Sequence, residues 1–321
     1  MRKTLIGLSL LLLAASNLKA SDSLSTAVDS TALDSISLQF IDEINAYFKF
    51  KDSLDNALNF ELGSIQLGDD LATLNVPANF MYLGKSQSMQ VLTDVWGNPP
   101  DQSVLGMMIP KNTSVLDDST YAIIISYSEE GYVDDEDAED LDYDELMETM
   151  QEDAQESNSI RIQQGYPSIE VIGWAAAPYY DSENKKLHWA KELSFDHDSA
   201  HTLNYNVRIL GRRGYLELNF ISDLQMLDQI KSEMPEILPA VNFNEGNRYS
   251  DFNPDMDKVA AYGIGGLIAG KVLAKAGLFV LLAKFWKIIA VGAVALFAGI
   301  RKFMGGKKNE PVNTIDKSEE A

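Results

Sequence analysis

The chain has 321 residues, a formal net charge of −22 and no cysteine. Without cysteine it cannot form disulfides, thiolate metal sites or a lipidated cleavage site. The acid excess argues against nucleic acid as a partner, because that binding needs a basic footprint. The charge is unevenly placed: residues 21–257 carry 13 Lys+Arg against 44 Asp+Glu, whereas Lys258–Asn309 holds nine basic residues and no acid.

In chain order, Arg2 and Lys3 precede an apolar run, Leu5–Ala15, and a small residue, Ala20. This is the order of a secretion signal, and the run is too short to cross ~30 Å of hydrocarbon. Residues 1–20 are therefore expected to be a cleaved signal. Residues 21–57 hold a Ser/Thr/Asp-rich lead-in, expected to be mobile to Asp34, and a helix over Leu38–Phe50. A folded, exported domain is expected over residues 58–257. At about 200 residues it is long enough to be held by its own core.

Within that domain Gly68-Asp69-Asp70 predicts a hairpin between Ser64–Leu67 and Leu71–Val76. Ser86–Trp96 reads as a helix capped by Ser86 or Ser88 and stopped at Gly97. Val104–Ile109 and Tyr121–Tyr127 read as strands, as do Ile169–Tyr179, Leu187–Leu193, Thr202–Leu210 and Gly214–Ile221. In Thr202–Leu210, Leu203, Tyr205, Val207 and Ile209 alternate with Asn204, Asn206 and Arg208, the period of a half-buried strand. Asp223 is positioned to cap a helix that carries Leu224, Leu227, Ile230 and Met234 and is limited by Pro235 and Pro239. Successive strands joined by tight turns give an α+β class: an antiparallel sheet with helices packed on one face.

Glu129–Glu156 contains 15 acids and no base. Asp134–Asp140 reads as an exposed acidic loop. The helix after it is marked by Asp142 as N-cap, Glu145 as its partner, and Tyr143, Leu146, Met147 and Met150 at helical spacing. Asp134, Asp135, Asp137 and Asp140 are the candidate ion ligands, against the plainer reading of solvated surface; the run lacks the glycine and acid spacing of an EF-hand. His197 and His201 stand four apart but in turn-like sequence, and His188 is expected on an exposed strand face. No metal and no cofactor is assigned. The aromatics Tyr132, Trp174, Tyr179, Tyr180 and Trp189, with Arg208, are the candidate ligand surface, set against cross-strand packing. No catalytic residue is assigned, since no nucleophile or metal-hydrolase motif is present.

Residues 258–303 form a Gly-rich, Lys-studded apolar stretch. Gly277–Ile300 is 24 residues, about 36 Å as a helix, enough for one transmembrane crossing. Arg301, Lys302, Lys307 and Lys308 predict that residues 304–321 are a cytoplasmic tail. Lys271 and Lys275 fall on one helical face and Lys284 and Lys287 on roughly the opposite one. Val259–Ala276 is accordingly expected to be an interfacial or juxtamembrane helix, and Lys284 and Lys287 to snorkel or to pair with acids or head groups. The expected setting is the bacterial inner membrane, single-pass, with the main domain periplasmic. The expected partners are lipid through residues 277–300 and a membrane protein or a second copy.

Several strings carry a family resemblance: VWGNPP at Val95–Pro100, ISYSEEGYVDDEDA at Ile125–Ala138, GYPSIEVIGWAAAPYYD at Gly165–Asp181, LHWAKEL at Leu187–Leu193, LNYNVRILGRRGYLELN at Leu203–Asn219, and RYSDFN with DKVAAYGIGGLIAGK near the end. Together they resemble the bacterial membrane-anchored family called domain of unknown function 2167. The resemblance implies an exported domain with a C-terminal anchor and no defined activity. A tethered binding or assembly module is the reading the sequence favours. An accessory subunit of a channel or transporter, or a tethered enzyme without a recognised motif, is the alternative.

Overall fold

The computed structural model describes residues 30–117, 119–139 and 141–269. The chain divides into two compact units at Ala57/Leu58. In the first, α1 (Ser30–Ala57) is a single helix. It starts eight residues before the predicted Leu38 and ends seven after Phe50, so residues 30–34 are helical where a mobile lead-in was expected. No Pro or Gly interrupts the stretch between Ser30 and Ala57, which leaves nothing to break the helix.

The second unit is built on an eight-stranded sheet. Its strands are β1 (Phe60–Glu61), β4 (Phe80–Gly84), β5 (Val104–Pro110), β6 (Tyr121–Ser128), β7 (Ile169–Asp181), β8 (Lys186–Phe195), β9 (Thr202–Leu210) and β10 (Tyr215–Asp223). The order across the sheet is β1-β4-β5-β6-β10-β9-β8-β7, and every neighbouring pair is antiparallel. The predicted hairpin forms as β2 (Ser64–Leu67) and β3 (Ala72–Asn75), and β11 (Val241–Phe243) joins it in a separate three-stranded sheet.

The large sheet is covered on both faces, not on one. Leu203, Tyr205, Val207 and Ile209 join Leu216, Leu218 and Phe220 in a core closed by the small sheet and by α4 (Leu227–Ile237). Side chains of opposite parity, among them Leu187, Trp189, Leu193, Leu210 and Tyr215, enter a second core with α3 (Tyr143–Gln163) and α5 (Ile264–Ala269). β9 is thus not half-buried: Asn206, on its polar side, is only 3% exposed.

Local differences have local causes. The predicted Ser86–Trp96 helix is α2 (Lys85–Gln90), continued as a π-turn over Val91–Val95 and stopped at Gly97, which has φ +71°. Neither serine caps it: Ser88 is buried and donates from Oγ to Leu83 O at 2.7 Å. Asp223 makes no capping bond, and α4 runs through Pro235 to Ile237. In α3 the expected N-cap is present, with Asp142 Oδ1 accepting from Asp144 N and Glu145 N. Leu146, Met147 and Met150 are buried as expected, and the helix runs 21 residues.

α3 also closes the free edge of β7. Gln151 Nε2 donates to Val171 O at 3.1 Å. Asn158 Nδ2 donates to Ile169 O at 2.9 Å, and its Oδ1 accepts from Ile169 N at 2.8 Å.

No helix among the described residues is long and apolar enough to cross a membrane. The expected span, 277–300, lies outside the described residues, as do Lys284 and Lys287.

His188 is 8% exposed, where an exposed-face position was expected. Tyr179 lies across its ring, with centroids 5.6 Å apart. Burial, with Lys186 nearby, lowers its pKa to about 4. Between that value and about 6.5 the unfolded chain binds a proton that the fold does not, so stability rises with pH across this window. Replacing His188 by Phe is expected to remove roughly 3 kcal/mol of the difference between urea unfolding free energies at pH 7.5 and pH 4. An unchanged pH slope would refute a buried neutral imidazole.

Candidate functional site

The last described residues are held in a site assembled from two distant strings, GYVDDEDA at Gly131–Ala138 and DKVAAYGIGG at Asp257–Gly266. Tyr132 N donates to Lys258 O and Ala260 N donates to Tyr132 O, both at 2.8 Å, forming a short parallel bridge. Gly131 makes the approach possible: it has φ +103°, and a Cβ there would stand 2.7 Å from Lys258 O. Gly263 does the same from the other side, since a Cβ would run into the Asp137 carboxylate. That carboxylate accepts from Ile264 N at 2.8 Å and from Gly265 N at 3.3 Å. It occupies the position where the first turn of α5 has unpaired N–H groups.

Asp135 ties the loop to the sheet. Its Oδ2 accepts from Tyr180 Oη at 2.6 Å and from Lys185 Nζ at 2.7 Å, while Oδ1 accepts from Tyr249 Oη at 2.8 Å. Burial by itself would raise the Asp135 pKa, but the hydrogen bonds from Lys185, Tyr180 and Tyr249 outweigh it and hold the carboxyl below its ordinary value. The two phenols are pushed up, first by burial and then by the hydrogen bonds they make here. Tyr132 is stacked between Tyr249 and Phe252, at 4.5 and 3.9 Å between centroids. Asp257 anchors the strand before the bridge, accepting from Arg212 Nε and from Asn253 N, both at 2.7 Å.

Arg208 meets the far end of α5. Its Nη1 donates to Leu267 O and its Nη2 to Glu217 Oε2 at 3.1 Å. Its guanidinium lies over Trp189 and Tyr215, 5.1 and 4.5 Å from the ring centroids, contacts of about 0.5–2 kcal/mol each. Among the described residues, Arg208 Nε and Trp189 Nε1 are buried and have no hydrogen-bond partner.

The candidate residues therefore fall in several places. Tyr132, Tyr180 and Asp135 meet in the loop anchorage. Trp189, 2% exposed, lies in the core under Arg208 and presents no surface. Trp174 is half-buried and donates from Nε1 to Tyr143 O at 3.2 Å. Tyr179 is 59% exposed and borders a shallow depression of about 570 Å³ with Glu136, Glu139 and Tyr143. Of the candidate ion ligands, Asp134 is exposed and accepts from Glu136 N, Asp135 and Asp137 are half-buried and bound to protein donors, and Asp140 lies outside the described residues. Exposure of the whole loop was expected. Its odd members turn inward because each meets a donor from another element. Among the described residues no three His, Asp or Glu converge as a metal site. Lys271, Lys275, Lys284 and Lys287 lie outside the described residues.

Lys185, Tyr249, Asp257 and α5 itself were not singled out as site residues in the sequence. The available signal was the pair of glycines, Gly131 and Gly263, each beside an acid-rich or aromatic string.

Among known families, the sequence model described as protein of unknown function (DUF2167) matches residues 59–298. No curated protein matches the chain. Among solved structures, cyanobacterial PsbP from Synechocystis is 10% identical with a TM-score of 0.32, covering 56% of this chain and 91% of that one. The Ran-binding protein Mog1p from Saccharomyces cerevisiae is 9% identical with a TM-score of 0.29, covering 58% and 95%. Scores of this size do not establish a shared fold.

Removing the anchoring acids should rank by their bonds. Asp135→Ala is expected to cost about 2–3 kcal/mol, because a charged acceptor of three bonds is lost, and Asp137→Ala about 1 kcal/mol, as for a helix cap. Asp134→Ala should stay within about 0.5 kcal/mol. Urea unfolding of the three variants checks the order; equal effects at Asp134 and Asp135 would contradict it.

Proposed function

The chain belongs to the DUF2167 family of proteins of unknown function, and we propose that this member is an exported, membrane-tethered binding or assembly module whose domain is fastened to the base of its own anchor. The observation that carries this reading is the docking of Val259–Ala269. Ile264, Leu267 and Ile268 are buried in the domain, Asp137 holds one end of α5 and Arg208 the other. Immediately beyond lies the apolar, Lys-bearing stretch of residues 277–300, whose length suits one crossing.

A domain hung on a loose linker needs no such fastening. Seven residues separate α5 from Gly277, at most about 25 Å of extended chain. In this reading the first part of the Val259–Ala276 segment belongs to the domain and not to the membrane interface. The domain is held near the bilayer in a defined attitude, with its strongly negative surface available to a basic or cation-bearing partner. In this reading Gly131–Ala138 and Asp257–Gly266 secure the domain's position.

The full-length protein is expected in the membrane fraction after high-salt washing, with a tag at Ala321 protected from protease in intact spheroplasts. Truncation after Ala276 is expected to release a folded domain. In mild detergent the full-length chain is expected to migrate as an assembly larger than one copy. A soluble full-length chain, or a tag cleaved from outside, would sink the tethering; a strictly monomeric species would sink the assembly role.

A further inference from the structure

We propose that the sheet face beneath α5 holds a small oxyanion of the phosphate or sulfate type, bound between Lys191, Arg208 and Asn219. The site is built from β8, β9 and β10 and does not depend on the tether.

Register brings the groups together. Across these three strands Leu187, Arg208 and Glu217 stand abreast in one row. The next row is Trp189, Asn206 and Asn219, and the one after it is Lys191, Asn204 and Ile221. Side chains opposite one another in such rows share a face and lie about 5 Å apart. Leu187, Trp189 and Leu193 place this face in the second core, and Lys191 falls between the last two by strand alternation.

The face has more donors than acceptors. Among the described residues the Lys191 ammonium makes no hydrogen bond or ion pair, and Arg208 Nε and Trp189 Nε1 are buried without an acceptor. Asn206 Nδ2 donates to Asn204 Oδ1 at 2.9 Å, and Asn204 Nδ2 donates to Asn219 Oδ1 at 2.8 Å. The amide chain therefore ends at Asn219 with its Nδ2 left as a further donor. Buried donors left unmade cost about 1–3 kcal/mol each, so a group rich in acceptors is what the face lacks.

The charges select an anion over water. Burial lowers the Lys191 pKa, the Arg208 charge adds to the lowering, and Glu217 opposes it. Among the described residues Glu217 is the one carboxylate that pairs with Arg208 or bears on Lys191. Two cations thus share one acid, in a segment where acids outnumber bases by 44 to 13. Water would supply acceptors and no charge, whereas an oxyanion supplies both. The guanidinium is held in place by Trp189 and Tyr215. Trp189 and Asn206 are 2% and 3% exposed, while Lys191 is half-buried. The approach is therefore past Lys191, and only a small ion fits.

The test uses inorganic phosphate and the full-length protein in mild detergent. Equilibrium dialysis at fixed ionic strength is expected to show one saturable site per chain. Lys191→Met is expected to weaken binding about tenfold or more. Lys191 is the cation to remove, because Arg208 also holds α5. Asn219→Asp keeps the acceptor for Asn204 but sets a carboxylate against the ion, and is expected to weaken binding as much. Lys231→Met, at an exposed position of α4, is expected to bind like the parent. Saturating phosphate is also expected to raise the parent's Tm above that in chloride of equal ionic strength, and not that of Lys191→Met. No saturable binding by the parent, or binding left unchanged by both Lys191→Met and Asn219→Asp, would overturn the site.

Discussion

The second core of this domain depends on one closure: the acidic loop after β6 folding over residues 257–269. The closure needs two glycines without side chains in the way, Gly131 and Gly263, and two carboxylates turned inward, Asp135 and Asp137. Without it α5 has no N-terminal partner, and Ile264, Leu267 and Ile268 have no reason to stay on the sheet. Arg208 would then lose Leu267 O while still buried against Trp189 and Tyr215. A buried guanidinium that loses an acceptor is costly, so the sheet's polar face and the loop are mutually dependent.

The acid run shows how charge of one sign can serve several structural ends. Asp135 meets a lysine and two phenols, Asp137 meets two amides, and Asp142 caps α3. Asp144 and Glu145 lie in the first turn of that helix, where its dipole favours them. Each of these acids finds a donor within hydrogen-bond reach or a favourable helix end, whereas Asp134, Glu136 and Glu139 face solvent. The alternation along Asp134–Asp137 falls where the chain enters a turn, with Glu136 N donating to Asp134 Oδ1 at 2.9 Å and Ala138 N to Asp135 O at 3.3 Å.

Much of the fold was legible because its signals are local. β9 matched its predicted limits, and the β2–β3 hairpin followed from Gly68-Asp69-Asp70. The N-cap at Asp142 and the buried stripe of α3 were readable from spacing. What escaped depended on pairing at long range. The alternation in β9 marked two faces but not that Arg208 would be covered, since it meets Leu267, some 60 positions later. His188 looked exposed because it stands between Leu187 and Trp189, yet Tyr179 from β7 lies over it. Pro235 reads as a stop, but it ends neither α4 nor its packing, since Met234 and Ile237 remain buried. For the site, Tyr132, Tyr180, Asp135 and Arg208 were singled out, but as ligand-facing groups. Their partners were invisible because Lys185, Tyr249 and the α5 backbone lie in other segments.

The side chains that α3 sends to β7 have a further consequence. A thirteen-residue strand at the end of an eight-stranded sheet would ordinarily offer its unpaired amides and carbonyls to any extended chain. Here Asn158 takes both groups of Ile169 and Gln151 takes the carbonyl of Val171, while Pro178 and the register shifts along β7 interrupt the rest. The edge is closed to runaway strand addition. Copies crowded side by side on a surface would thus meet through side chains and not by zipping their sheets into a fibre.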